Sequence, residues 1–204
     1  MTRSISLVCL SLLLAACSSV ELPREHYWRL SLGQPPGGEL PRAGVLRVAD
    51  LQLGNSLSGD CLLYADGEMH LEPQQLQRWV APLDRLITDA VVLGLSRSRM
   101  FRLVKSASDP GDQDFTLHGR ILDFAEHRSE AMPFARAEFA FWMENSEGLV
   151  FQDELRAEVV LTESGPEGAV SALSQALQQV VDQLAGRMRA AGVFRQEIDA
   201  VPGK

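Results

Sequence analysis

The chain has 204 residues, 46% hydrophobic and 23% charged, with 19 Lys+Arg against 27 Asp+Glu and a formal net charge of −8. That length and balance fit one globular domain and exclude a chain that is disordered throughout. The acidic excess argues against a nucleic-acid binder, which needs a basic face to displace counterions, and against docking on anionic lipid by charge alone.

Residues 1–16 read MTRSISLVCLSLLLAA, with Arg3 as the only charge ahead of an apolar run from Ile5 to Ala16. The run is short of the ~20 apolar residues that span a bilayer, and it has the basic start, apolar centre and small-residue end of a secretory signal. Its end, Leu14-Ala15-Ala16-Cys17, has the form of a bacterial lipobox, in which the Cys thiol receives a diacylglyceryl group and cleavage follows before it. Ser18, rather than Asp, follows the Cys, which points to export to the outer membrane in a Gram-negative cell. Losing residues 1–16 removes Arg3 and no acid, so the mature chain has 188 residues and a net charge of −9. Cys9 leaves with the signal and Cys17 is acylated, so Cys61 is the one remaining thiol, and an intramolecular disulfide is excluded. The tether to Tyr27 spans ten residue steps, at most about 33–36 Å, which keeps the domain close to its membrane.

The predicted elements follow in chain order. Tyr27-Trp28-Arg29-Leu30 reads as a short first strand, and the Gly/Pro-rich stretch Gly33 to Gly44 as a loop. Val45 to Leu53 alternates as a strand; Cys61 to Ala65 and Glu68 to Leu71 flank Asp66-Gly67 as a hairpin. Glu72-Pro73 is then expected to open a helix carrying Leu76, Trp79, Leu83, Leu86, Ile87, Ala90 and Leu93 as one apolar stripe, with Pro82 bending it, and ending near Ser98. Met100 to Val104 is a short strand. Phe115, Leu117, Gly119 and Ile121 alternate, after which Leu122 and Phe124 take the other parity, which predicts a bulge. The segments around Ala135–Met143 and Phe151–Leu161 alternate cleanly and complete an antiparallel meander with one wet face. After Gly165-Pro166 a last helix carries Val170, Leu173, Leu177, Val180, Val181, Leu184 and Met188 on one face and stops at Gly192.

No set of residues in this order reads as catalytic. His26, His70, His118 and His127 lack metal-ligand spacing, no Gly-rich loop joins a strand to a helix, and Ser56 to Asp60 lacks the nucleophile elbow. No cofactor and no metal are expected. Trp142 has the outward parity of its strand, either as an anchor for a partner or as cover under the tether or tail.

Taken together, these pieces resemble the ABC-type transport auxiliary lipoprotein family, the family of the paraquat-inducible lipoprotein. The motifs that carry the resemblance are the lipobox Leu14 to Cys17; the strand Tyr27-Trp28-Arg29-Leu30; Leu62-Leu63-Tyr64-Ala65; Trp79-Val80-Ala81-Pro82; Asp114-Phe115-Thr116-Leu117-His118-Gly119; and the Ala-rich closing helix Ala169 to Ala191. Ala65 departs from the basic residue that often follows the Tyr in the family, and the tail from Val193 goes beyond the usual end. The resemblance divides the chain into a signal peptide (1–16), a lipidated tether (17–26), the family domain (27–192) and a tail (193–204). It implies a single-domain α/β sandwich, with a mixed, largely antiparallel sheet packed against two main helices. It also implies a noncatalytic lipoprotein at the outer membrane, facing the periplasm and supporting membrane integrity. The implied partners are an ABC transporter and its MCE-domain subunits, which move lipid between membranes; a homo-oligomer stays open. A lipid-carrying protein is the alternative. Cys17 is the expected attachment site; Tyr27, Leu30, Tyr64, Trp79, Pro82 and Gly119 are family-motif positions with a structural or partner role.

Overall fold

In chain order, the computed structural model runs β1 (His26–Trp28), β2 (Ala43–Val48), β3 (Gln52–Leu53), β4 (Cys61–Asp66), β5 (Leu71–Trp79), α1 (Leu83–Arg97), β6 (Phe101–Ser106), β7 (Phe115–Arg128), β8 (Phe134–Asn145), β9 (Gly148–Val160) and α2 (Pro166–Ala190). It describes residues 23–33, 43–57, 59–67, 70–128 and 132–192. The lipobox Leu14, Ala15, Ala16 and Cys17, most of the tether and the tail from residue 193 lie outside the described residues.

β7 organises the sheet. One of its edges pairs with β8 from Thr116 to His127, and β8 pairs in turn with β9, both antiparallel. The other edge is shared by three strands, all parallel to β7: β2 beside residues 115–117, β3 beside 120–121 and β4 beside 126–128. β2 carries β6, and β4 carries β5, which carries β1. Among the described residues, five of the eight pairings are parallel, while the two longest are antiparallel. The result is a single domain, a mixed nine-stranded sheet packed with two helices, as the sequence implied. The parity switch in β7 is a register shift between Ile121 and Asp123. An extra residue there bends the strand, so its two halves can face different partners.

Both helices cover one face of the sheet. α2 lies over β7, β8 and β9, α1 over β2 and β6, and the two helices touch. Where they meet, a Cβ on Gly94 would fall 2.5 Å from Val181 Cγ1, so only glycine allows this approach. Every residue of the predicted α2 stripe is buried, against Phe139, Phe141, Met143 and Leu155 of the sheet. Pro166 sits at its first position, where no N–H is needed, and Glu167 follows in the first turn. Among the described residues no helix is long and apolar enough to cross a membrane.

Two expectations are corrected here. Residues 71–79 are strand β5, not the start of a helix; the helix begins at Leu83, and Pro82 is its N-cap rather than an internal bend. Trp79 therefore lies at the end of a strand. The predicted hairpin exists between β4 and β5, but Asp66 N–H closes on His70 O at 2.9 Å, a wider turn than the two-residue one expected. Of the strand expected over Glu68 to Leu71, residues 68 and 69 lie outside the described residues.

Candidate interaction surface

The motif positions are dispersed through the fold, and most of them are framework. Trp79 is 2% exposed, packs on Phe124 at 6.0 Å between ring centroids, and pairs with Trp28 across β5 and β1. Leu30 packs on the same core. A Cβ on Gly119 would come within 2.8 Å of both Leu51 Cδ2 and Phe141 Cδ1, so this glycine makes room for a ring laid across the sheet. Pro82 fixes the entry to α1. Tyr27 and Tyr64 differ from these: each carries a phenol into a polar cluster, at opposite ends of β4.

At the first end, Tyr27, Arg78 and Cys61 form a row across β1, β5 and β4. Tyr27, 59% exposed, donates its hydroxyl to Glu25 at 2.6 Å. Arg78 reaches Glu25 Oε1 at 2.6 Å and Asp60 Oδ1 at 2.7 Å, and Cys61 Sγ at 3.3 Å. The Tyr27 bond, then the Arg78 bond, holds the Glu25 carboxyl below its usual range, and the same Tyr27–Glu25 bond pushes the phenol up. Cys61 thus sits beside a guanidinium already held by two carboxylates.

At the other end, Tyr64 donates to Glu72, which raises the phenol, and the Arg128 guanidinium lies 3.6 Å over the Tyr64 ring. Glu126 is 6% exposed and takes Gln74 Nε2 at 2.8 Å and Arg128 Nε at 3.1 Å, so the buried charge is answered on both oxygens. On the wet face of the meander, His127 stacks on Phe134 and bonds Asp123 at 2.7 Å; Arg136 bridges Asp123 and Glu158. Trp142 has the predicted outward parity, half-buried under the stacked His118, whose Nε2 meets Glu144 Oε1 at 2.8 Å.

A groove lies beside β1. The segment after β1 crosses both helices: Ser31 N–H donates to Ser174 Oγ on α2, and Arg97 Nη1 on α1 donates to the carbonyls of Leu32 and Gly33. Between this strap and the first three turns of α2 is an open groove of about 370 Å³, with Trp28, Arg29, Glu167, Val170 and Ser171 in its walls. Nothing in the sequence pattern announces it, because its two walls are well over a hundred residues apart. Arg78 and Glu126 were equally invisible as partners; each is defined by contacts that join distant parts of the chain. Among the described residues no cluster of His, Cys, Asp and Glu could hold a metal ion.

A family model described as ABC-type transport auxiliary lipoprotein component matches residues 30–185. No curated protein matches the chain. Among solved structures, the Xanthomonas campestris protein XCC0632, assigned to family DUF330, superposes with a TM-score of 0.73 at 18% identity, over 86% of this chain and 100% of its own. An uncharacterized protein superposes at 0.67 and 18% identity, over 81% of this chain and 99% of its own. The hypothetical protein CT253 from Chlamydia trachomatis reaches 0.51 at 13% identity, over 72% and 99%. At these identities the likeness speaks to the fold.

Proposed function

The chain belongs to the ABC-type transport auxiliary lipoprotein family, and from that membership we propose that it is a noncatalytic, lipid-anchored subunit of an MCE-type lipid transport system, docking the MCE assembly from the outer membrane and so supporting membrane integrity. The family match over residues 30–185 carries this reading. The lipobox Leu14 to Cys17 supports the anchor, with 1–16 removed, 17–26 as tether, 27–192 as the docking domain and 193–204 as a tail. One acyl chain binds a membrane only marginally, at about 0.8 kcal/mol per buried methylene, whereas the several chains of a bacterial lipoprotein hold it there.

Docking is favoured over carriage by the packing. A carrier needs a chamber between sheet and helices, and that layer is filled by Phe124, Phe139, Phe141, Met143, Leu177 and Leu184, each 1% exposed or less. The test is affinity purification of the acylated protein from its native membrane. MCE-domain and ATPase subunits in the eluate are the expected result, and size analysis of the same eluate reads the copy number. An eluate holding neither subunit overturns the proposal.

A further inference from the structure

We propose that the groove between the strap and α2 binds a zwitterionic membrane-lipid headgroup, a phosphate diester carrying an ammonium group. This deepens the transport reading above, and rests on it for the choice of a membrane lipid as the source.

Opposite charges on the two walls carry the argument. Arg29 and Glu167 both line the groove, and neither side chain has a hydrogen-bond or ion-pair partner among the described residues. A guanidinium presents a planar fork of donors that matches phosphate oxygens, and a carboxylate takes an ammonium. Trp28 adds an aromatic wall, whose face attracts an ammonium as well. Ser171 and Gln175 offer a hydroxyl and an amide to the ester oxygens. Neither a bare anion nor a bare cation suits this lining, since each would meet one like charge. The whole chain, at −8, also repels anionic headgroups, while a neutral zwitterion is indifferent to that field.

Size and place agree with a headgroup. About 370 Å³ lies at the small end of ligand sites, which run from ~300 to ~1,000 Å³. The groove is open, so acyl tails can stay in the bilayer while the head enters. Arg29 is twelve residues from Cys17, at most about 40–43 Å of extended chain, so the anchor keeps the groove near lipid. Glu167 also complements the α2 dipole, and for that reason the test rests on Arg29 and Glu167 together.

The experiment uses the full acylated protein, ¹⁵N-labelled, in detergent micelles. sn-Glycero-3-phosphoethanolamine is titrated while the Trp28 indole N–H, bonded to Gln77 Oε1 at 2.8 Å, is followed by NMR. Saturable shifts at Trp28 are expected, with at least tenfold weaker binding of glycerophosphoglycerol, inorganic phosphate and glycine. Arg29→Ala should weaken binding at least fivefold at unchanged melting temperature, and Glu167→Gln at least fivefold with the melting temperature lowered by no more than the few degrees that the lost dipole interaction accounts for. The source is read in nanodiscs with a photoactivatable phosphatidylethanolamine, where crosslinks should fall on the peptide holding Ser171 and Gln175 and vanish in Arg29→Ala. No saturable shift, equal affinity for glycine, or wild-type binding by both variants overturns the site. Binding of the soluble diester with no crosslink in nanodiscs overturns the membrane lipid as its source. Neither readout depends on transporter subunits, so a failed purification and a failed headgroup site are separate results.

Discussion

Truncating Trp79 to Ala tests the core most directly. The side chain is 2% exposed, closes the junction of β5 with β1, and touches Phe124, which itself packs on Phe139. Removing a large buried aromatic costs about 3–5 kcal/mol, the lost transfer energy plus the cavity left behind. The neighbours cannot close that cavity easily, because Trp79 N–H is tied to Asp60 O and Val80 N–H to Trp28 O, which fix the backbone on both sides. Against a total of about 5–15 kcal/mol, the loss is a large share of stability. With a urea slope of about 2–3 kcal/mol per molar, the midpoint should fall by about 1–2.5 M. The assay is urea denaturation of the mature chain followed by far-ultraviolet circular dichroism, with Trp79→Phe as the control that keeps most of the burial. A midpoint within 0.3 M of wild type (about the precision of the fit) would refute the core placement and assign Trp79 to a partner surface instead.

Gly119→Ala should cost about 1–3 kcal/mol, because its Cβ would fall 2.8 Å from the Phe141 ring; the melting temperature checks it, and Phe141→Leu in the same chain should recover part of the loss. Lys105, 4% exposed, donates its ammonium to the carbonyls of Pro110, Gly111 and Asp112; Lys105→Met should leave these unanswered, cost about 1–3 kcal/mol and speed amide exchange across residues 107–114. Glu158 is held below its usual 4.5 by Arg156 first and by Arg136. A depressed carboxylate stabilises above its unfolded pKa and loses that contribution as pH falls through its folded one. Glu158→Gln should therefore lower the melting temperature by a constant few degrees between pH 7 and 5, since this 40% exposed group contributes at most about 1 kcal/mol, and the gap should narrow as the pH falls below the usual 4.5. Cys17→Ala should retain the wild-type circular dichroism spectrum, fail to incorporate labelled fatty acid and leave the membrane fraction.

The sequence was most legible where one face of a strand or helix is wet. β8, β9 and α2 carry their burial in the periods read from the chain, and the bulge in β7 shows as a switch of parity. The misreading of residues 71–79 has a specific cause. Leu76 takes φ 61°, a left-handed conformation in mid-strand, so Gln74 and Trp79, five apart, are both buried. That break in alternation, followed by Leu83 and Ile87, mimics helical spacing. Pro73 is tolerated because β1 pairs only with residues 77–79, which leaves that part of β5 as an edge. The parallel pairings were not legible at all, since nothing local records which distant strand lies alongside. The same holds for the groove, to which Arg29 and Glu167 both contribute only once β1 and α2 are in place.

The shared edge of β7 also sets an order of assembly. β2, β3 and β4 are made early, yet the strand they dock on comes much later; Val45 N–H bonds Asp114 across 69 residues, and Gln74 reaches Glu126 across 52. Such distant pairings form slowly, because the chain entropy of closing long loops is spent before any contact repays it. β2 and β3 have no strand to pair with, and the β1–β5–β4 unit no larger sheet to join, until β6 and β7 emerge behind them. If residues 1–16 act as the export signal proposed above, that delay is an advantage: the leading half would stay threadable while it crosses the membrane, and the fold would lock only on the far side.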